Sequence, residues 1–171
     1  MALPDHTSAS QLKTYAMCPR KYALRYLEQA EPEDKSPSLV LGSVVHSAIG
    51  WYFEERMAGR EPAVTEAIDI CQADCAAAVD GAPVLWGRWT PSDLLEHAER
   101  LVCFFLEHEG KLEVTRVEQR FEVSLEHPFT GEPLPRPFVG YLDLEVGKSE
   151  TIELKTSRSA YSEVDIVSNL Q

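Results

Sequence analysis

The sequence predicts an α/β fold, with a mainly helical region over residues 1–110 and a sheet over 111–171, together forming one domain across 1–171. Three observations predict it. Before residue 110, apolar residues recur at helical spacing in successive segments that open on hydroxyl residues or proline and close on glycine. From Leu112 the spacing changes to period two, with turn formers between the runs. The chain has 171 residues, 44% hydrophobic and 26% charged, which is enough to bury one ordinary core.

Taken in order, "TSASQLKTYAMCP" opens on an N-cap signal, because Ser8 followed by Gln11 fits a capping box, and predicts a helix to about Met17. Pro19 interrupts it. "RKYALRYL" then resumes a helical period, with Tyr22, Tyr26 and Leu27 on one side and Arg20, Lys21 and Arg25 on the other, the one dense basic patch of the chain. After the loop "EQAEPEDKSPS", the segment "LVLGSVVHSAIGWYFEERMAG" is apolar over several turns and stops at glycine, which predicts a largely buried helix. "PAVTEAIDICQADCAAAV" and "PSDLLEHAERLVCFFLEHEG" are amphipathic helices, the second opened by proline and closed by Gly110, with the loop "DGAPVLWGRWTP" between them. "LEVTRVEQRFEVSLEHP" is a strand with room for a bulge, "FTGEPLPRP" a turn, and "FVGYLDLEV" and "ETIELKT" two further strands joined by "GKS". "SEVDIVSNLQ" carries the first turns of another helix.

Charge and composition exclude several classes of function. A formal charge of -12 argues against a broad basic surface that holds nucleic acid by phosphate contacts alone. Contact with a polyanion then needs metal ions, a local basic patch or a partner subunit. No segment is long and apolar enough to cross a bilayer, and "MALPDHTSAS" lacks the basic and apolar regions of a signal peptide, so a cytoplasmic protein with no membrane partner is expected. Cys18, Cys71, Cys75 and Cys103 are too sparse for a disulfide framework and lack zinc-like spacing.

The hairpin "GYLDLEVGKSETIELKTS" places charges inside runs that otherwise read as apolar strands. Side chains two apart share a face, so Glu153 and Lys155 point one way and Ile152 and Leu154 the other. Tyr141, Asp143 and Glu145 form one set of the partner strand, Leu142 and Leu144 the second. If Gly147, Lys148 and Ser149 make the loop, Asp143 lies opposite Glu153, Leu142 opposite Leu154, and Leu144 opposite Ile152. A two-residue loop would mix charge with core on both faces, so the hydrophobic pattern selects the three-residue loop. The solvated side of an antiparallel sheet accounts for a charged face equally well. Against it, two carboxylates opposed across strands repel unless a cation lies between them. A hard divalent ion such as Mg²⁺ resolves the repulsion, and Lys155 then adds a positive charge beside a water or phosphoryl oxygen. Two acids, a metal and a lysine make a phosphodiester-hydrolysing site.

The order Asp143, then Glu153-Leu154-Lys155 across a hairpin, resembles the PD-(D/E)XK nuclease superfamily. "SASQLKTYAMCPRKYALRYL" resembles the N-terminal signature of its RecB-like (RecB/AddB and CRISPR-associated exonuclease) members, matching at Ser8, Ser10, Leu12, Tyr15, Cys18, Pro19 and Tyr22. "LGSVVHSAIG" is similar to that family's G-x-x-x-H helix at Gly42 and His46. The resemblance implies a restriction-endonuclease-like core with a mixed, mostly antiparallel sheet. It implies Mg²⁺ or Mn²⁺ held by His46, Asp143, Glu153 and the Leu154 carbonyl, with Lys155 positioning or activating the attacking water. Glu118 matches a glutamate often found on the preceding family strand, and it reads equally as an exposed strand residue. A lone histidine on an apolar helix is ordinarily a satisfied core residue; the motif around His46 raises ligation above that reading. Its imidazole coordinates only when neutral, so activity is expected to fall in acid.

Arg20, Lys21 and Arg25 are the expected contacts to the nucleic-acid backbone. Cys18 matches a cysteine that many RecB-like members use with three C-terminal ones to hold a [4Fe–4S] cluster, expected here only if the natural chain continues with further cysteines. Cys71, Cys75 and Cys103 read as small buried hydrophobes. Gln171 stands where the family's Q-x-x-Y helix begins, so the sequence reads as a fragment lacking the C-terminal part. The expected activity is metal-dependent, exonuclease-like cleavage of DNA, single-stranded or with a free end, in repair, recombination or phage- or CRISPR-linked processing, with a helicase or other protein partner. Two alternatives stand beside it: a nuclease-fold scaffold or nucleic-acid-binding module without turnover, and a hydrolase of small phosphoesters.

Overall fold

Each helix begins where the sequence supplies an acceptor or a proline for its free N–H groups. In the computed structural model, which describes residues 4–30, 34–81 and 83–156, α1 spans Ala9–Met17 and the Ser8 hydroxyl accepts the Gln11 N–H. α2, Pro19–Tyr22, is capped by the Cys18 sulfur, which accepts the Lys21 N–H at 3.4 Å, and has Pro19 at its first position. The helical period of "RKYALRYL" is interrupted at Ala23–Leu27, which forms a π-helical turn closed by Glu28 N–H to the Ala23 carbonyl. α3, Pro37–Met57, is capped by Ser36; α4, Val64–Asp80, has the Glu66 carboxylate accepting the Ala63 N–H; α5, Pro91–Glu109, starts on a Thr90–Asp93 capping box.

Three strands follow, β1 Val114–Val123, β2 Phe138–Val146 and β3 Glu150–Ile152, in the order β1-β2-β3 with both pairs antiparallel. The register shifts between Val114 and Arg116, an irregularity within the strand that the sequence reads as having room for a bulge. Parallel pairing is limited, among the described residues, to isolated bridges: Thr7 with Phe138, and Lys35 with Val84. The β2–β3 loop is Gly147, Lys148 and Ser149, and Leu144 pairs with Ile152 as the hydrophobic pattern requires. Gly147 takes φ +59°, a conformation that glycine adopts without a Cβ penalty.

The expected strand "ETIELKT" is shorter than its alternation implied. β3 ends at Ile152, and Glu153, Leu154 and Lys155 lie beyond the ladder, where the Leu154 carbonyl accepts a side-chain hydrogen bond. "SEVDIVSNLQ" and Gln171 lie outside the described residues.

The chain divides into two compact units. A strand unit comprises Met1–Asp34 and Glu113–Ile152, and a helix unit comprises Lys35–Leu112 and Glu153–Gln171. In the helix unit, α3, α4 and α5 pack on one another around Ile49, Phe53, Cys71, Leu94 and Val102, all fully buried. The near-continuous apolar run of α3 follows from this central place. In the strand unit, Leu144 and Val139 are the most buried strand residues and lie on opposite faces of β2.

Candidate active site

In the helix unit, α3 faces the "ELKT" segment through two residues one turn apart. His46 Nε2 donates to the Leu154 carbonyl oxygen at 2.9 Å, joining positions 108 residues apart in the chain. A Cβ placed on Gly42 would lie 3.4 Å from the Thr156 hydroxyl, in van der Waals contact, so the segment leaves room there for a small side chain at most. Leu154 is buried, and its alternation with Glu153 and Lys155 leaves the two charged side chains exposed and ion-paired with each other. Thr156 was not singled out by sequence reasoning; the signal for it is the period of two from Leu154.

In the strand unit, Asp143 is half-buried on β2. Its face is less solvated than the outer side of a sheet would be, because Val139, four residues away on that face, is only 3% exposed. The same face carries Glu145, paired with Arg116 across the strands at 3.3 Å. Glu118 falls between the pairs Val117–Leu144 and Gln119–Leu142, hence at the register position of Asp143. Its side chain is exposed and its backbone adopts φ +46°, the left-handed region that a glutamate occupies at a cost of about 1–3 kcal/mol. Like charges directly opposed across strands repel, and the departure from regular strand geometry occurs at that position.

The structure thus brings together His46 with the Leu154 carbonyl, Glu153 with Lys155, and, by register, Glu118 with Asp143. Among the described residues, no group of three or more His, Cys, Asp or Glu side chains converges as a metal-ligand cluster. The donor chemistry nevertheless suits Mg²⁺ or Mn²⁺: carboxylates and a carbonyl are hard oxygen ligands, and imidazole is a common nitrogen ligand. The 2.9 Å between His46 Nε2 and the Leu154 oxygen fits two adjacent ligands of an octahedral ion, which lie about 3.0 Å apart when each bond is about 2.1 Å. A proton shared by the two atoms and an ion held by both demand nearly the same separation.

The basic patch is partly engaged. Arg20 pairs with Glu28 at 3.0 Å, and the Arg25 guanidinium stacks 5.5 Å from the Tyr26 ring centroid, on the tyrosine side of the segment rather than away from it. Lys21 is exposed. Cys18 is a half-buried free thiol that serves as the α2 cap. Cys71 and Cys75 are buried; burial first and the Cys75 neighbour second push the Cys71 thiol up to about 12. Cys103 is only half-buried, because the α5 face that carries it is less covered than the Leu94–Ala98–Val102 face.

No helix among the described residues is long and apolar enough to cross a membrane. No curated protein and no solved structure matches the chain. The model of the PD-(D/E)XK nuclease superfamily matches residues 6–171, across both units and every motif residue named above. Membership brings a coarse activity, hydrolysis of phosphodiester bonds in nucleic acid, and the divalent metal, such as Mg²⁺, that these nucleases generally use. With its α/β architecture and a match over almost its whole length, the chain belongs to the PD-(D/E)XK nuclease superfamily.

Proposed function

We propose that the chain is a Mg²⁺- or Mn²⁺-dependent deoxyribonuclease with one nuclease domain over residues 1–171, acting on DNA that is single-stranded or has a free end. The hydrogen bond of His46 to the Leu154 carbonyl carries the reading, since it joins the G-x-x-x-H helix to the E-x-K segment over 108 residues of sequence. His46, Asp143, Glu153 and the Leu154 carbonyl would hold the metal, which when bound supplies Lewis-acid polarisation of a phosphoryl oxygen. Lys155 orients the attacking water and offsets negative charge that develops on the phosphate, with Glu153 fixing its ammonium. The water loses a proton to solvent as its oxygen bonds to phosphorus, the P–O bond to the leaving sugar breaks, and the departing alkoxide takes a proton from solvent. Arg20, Lys21 and Arg25 hold the backbone, Glu118 supports the acidic site, and Gln171, outside the described residues, extends it.

The RecB-like subfamily supplies the cellular setting of this proposal: cytoplasmic DNA repair, recombination, or phage- or CRISPR-linked processing, with a helicase or other protein partner. Cys18 joins a [4Fe–4S] cluster only where the natural chain supplies further cysteines.

One observation favours a second reading, a scaffold without turnover. Among the described residues the predicted ligands do not form a three-residue cluster. The two separate when a plasmid and a single-stranded oligonucleotide are incubated with Mn²⁺. The nuclease reading expects cleavage that stops with EDTA and falls at least a hundredfold in Lys155→Ala, on the scale of losing one charge-stabilising donor. No cleavage by the wild type, or equal cleavage by Lys155→Ala, assigns the scaffold.

A further inference from the structure

Tyr15, Tyr22 and Tyr26 form a run of touching rings along α1, α2 and the π-helical turn. Tyr15 and Tyr22 meet edge to face at 5.4 Å between centroids, and Tyr22 and Tyr26 lie 5.2 Å apart at 43°. Arg25 covers one side of Tyr26. The run is not a buried core: Tyr22 and Tyr26 are half-buried, Tyr15 is 57% exposed, and the neighbouring Leu12 and Met17 are exposed at 54% and 72%. Rings and apolar side chains left in water on one short segment mark a contact surface rather than a packing surface.

Charge narrows the occupant. Between Gln11 and Glu28 the chain carries Lys13, Arg20, Lys21 and Arg25 against Glu28 alone, in a protein of formal charge -12. A positive island in an acidic protein selects a polyanion locally while the rest of the surface repels it. One exposed and two half-buried rings among these cations then distinguish one form of polyanion from another. In a duplex the base faces are stacked on one another and closed to side chains, whereas unpaired bases present a π-face that an aromatic ring can cover. An arginine lying on one of those rings adds a cation to the stack.

We propose that Tyr15, Tyr22 and Tyr26, with Arg25, form a stacking platform for the unpaired bases of a DNA strand, so that the strand unit prefers single-stranded over duplex DNA. The proposal rests on the nuclease reading for its choice of nucleic acid as the partner. Base–ring stacking is tolerant of sequence, so the platform would favour strandedness and not a particular base order.

The test measures binding of the full chain to a labelled oligothymidylate of about 15 nucleotides, a size set by single-strand site sizes. Fluorescence anisotropy is recorded in EDTA, so that cleavage does not intervene. Tyr15→Ala is expected to weaken binding about tenfold, to leave binding of an abasic strand of equal length unchanged, and to be rescued by Tyr15→Phe. Tyr26→Ala gives a second, independent loss on the base-bearing strand. Wild-type affinity in both alanine variants overturns the proposal, as does an equal loss on the abasic strand, which would mean that charge or folding was disturbed instead. Loss of binding to phosphatidylserine vesicles with unchanged oligonucleotide affinity would assign the patch to a membrane surface and also overturn it. Tyrosine-dependent binding by a protein that cuts no DNA in Mn²⁺ would defeat the nuclease reading and leave the platform standing.

Discussion

Gly42 separates the catalytic proposal from ordinary helix stability, because two substitutions there act in opposite directions. Glycine inside α3 costs about 1 kcal/mol relative to alanine, so a purely structural helix would gain from its replacement. The Cβ of Gly42→Ala would lie 3.4 Å from the Thr156 hydroxyl, an ordinary van der Waals distance, and the variant is expected to be more stable by up to about 1 kcal/mol. Gly42→Val adds two methyl groups whose rotamer is largely fixed in a helix, which leaves them little freedom to turn away from that contact. Overpacking of this kind costs about 1–3 kcal/mol. It also pushes Thr156 away from α3, and with it the Leu154 carbonyl two residues earlier that His46 holds. Urea unfolding should therefore order the variants Ala, wild type, Val, while Mn²⁺-dependent cleavage should survive in Ala and fall at least tenfold in Val. Equal stability and equal cleavage in Ala and Val would refute the reasoning, since Gly42 would then have no role in bringing the segment to the helix.

Three further outcomes follow from the packing and the thiols. Gly140→Ala places a Cβ against the Phe121 ring on the paired strand, so the ring must move, and denaturant unfolding should show a loss of about 1–2 kcal/mol that shrinks when Phe121 is also changed to Leu. Leu94→Ala empties a fully buried position on α5 and should lower unfolding free energy by about 2–5 kcal/mol with an unchanged denaturant slope. The buried Cys71 thiol has a folded pKa raised from 9.0 to about 12, so the stability it contributes is complete below about pH 9 and is lost as pH rises from there toward 12; the fall in unfolding free energy over that window should be shallower in Cys71→Ala.

Much of this arrangement is legible in the sequence because it rests on local rules. Ser8 marks the start of α1 and Pro91 that of α5, and the glycines at 59 and 110 follow helix ends. The hairpin register is legible for a different reason. Only a three-residue loop keeps Leu144 opposite Ile152, and a slip of one would bury charge. What the sequence conceals is settled by contacts distant in the chain or by backbone conformation. Glutamate has no preference for the left-handed region, so the pattern of β1 contains no sign of the positive φ at Glu118. The Cys18 cap is hidden because a sulfur is not the usual acceptor at a helix start. The alternation around Asp143 fits a solvated face as well as a metal-binding one, and the pattern does not show that Val139 is buried on that face.

The early end of β3 shows how the two kinds of information compete. Period two runs without a break from Ile152 to Lys155, and on pattern alone the ladder would continue. A backbone carbonyl that leaves a ladder and becomes buried must find another donor, and for Leu154 that donor is the imidazole of His46. The segment is consequently held by a side chain of α3 instead of by strand pairing. Strand pairing would fix only the alternation of Glu153 and Lys155, whereas a bond at the residue between them also fixes the position of their shared backbone relative to α3. His46 therefore positions the segment through its Nε2 proton, and an ion bound at Nε2 would replace that proton as the link to the Leu154 carbonyl. The G-x-x-x-H spacing then has a physical basis: Thr156 packs over position 42, where only a small residue fits, and His46, one turn later on the same face, provides the donor for Leu154.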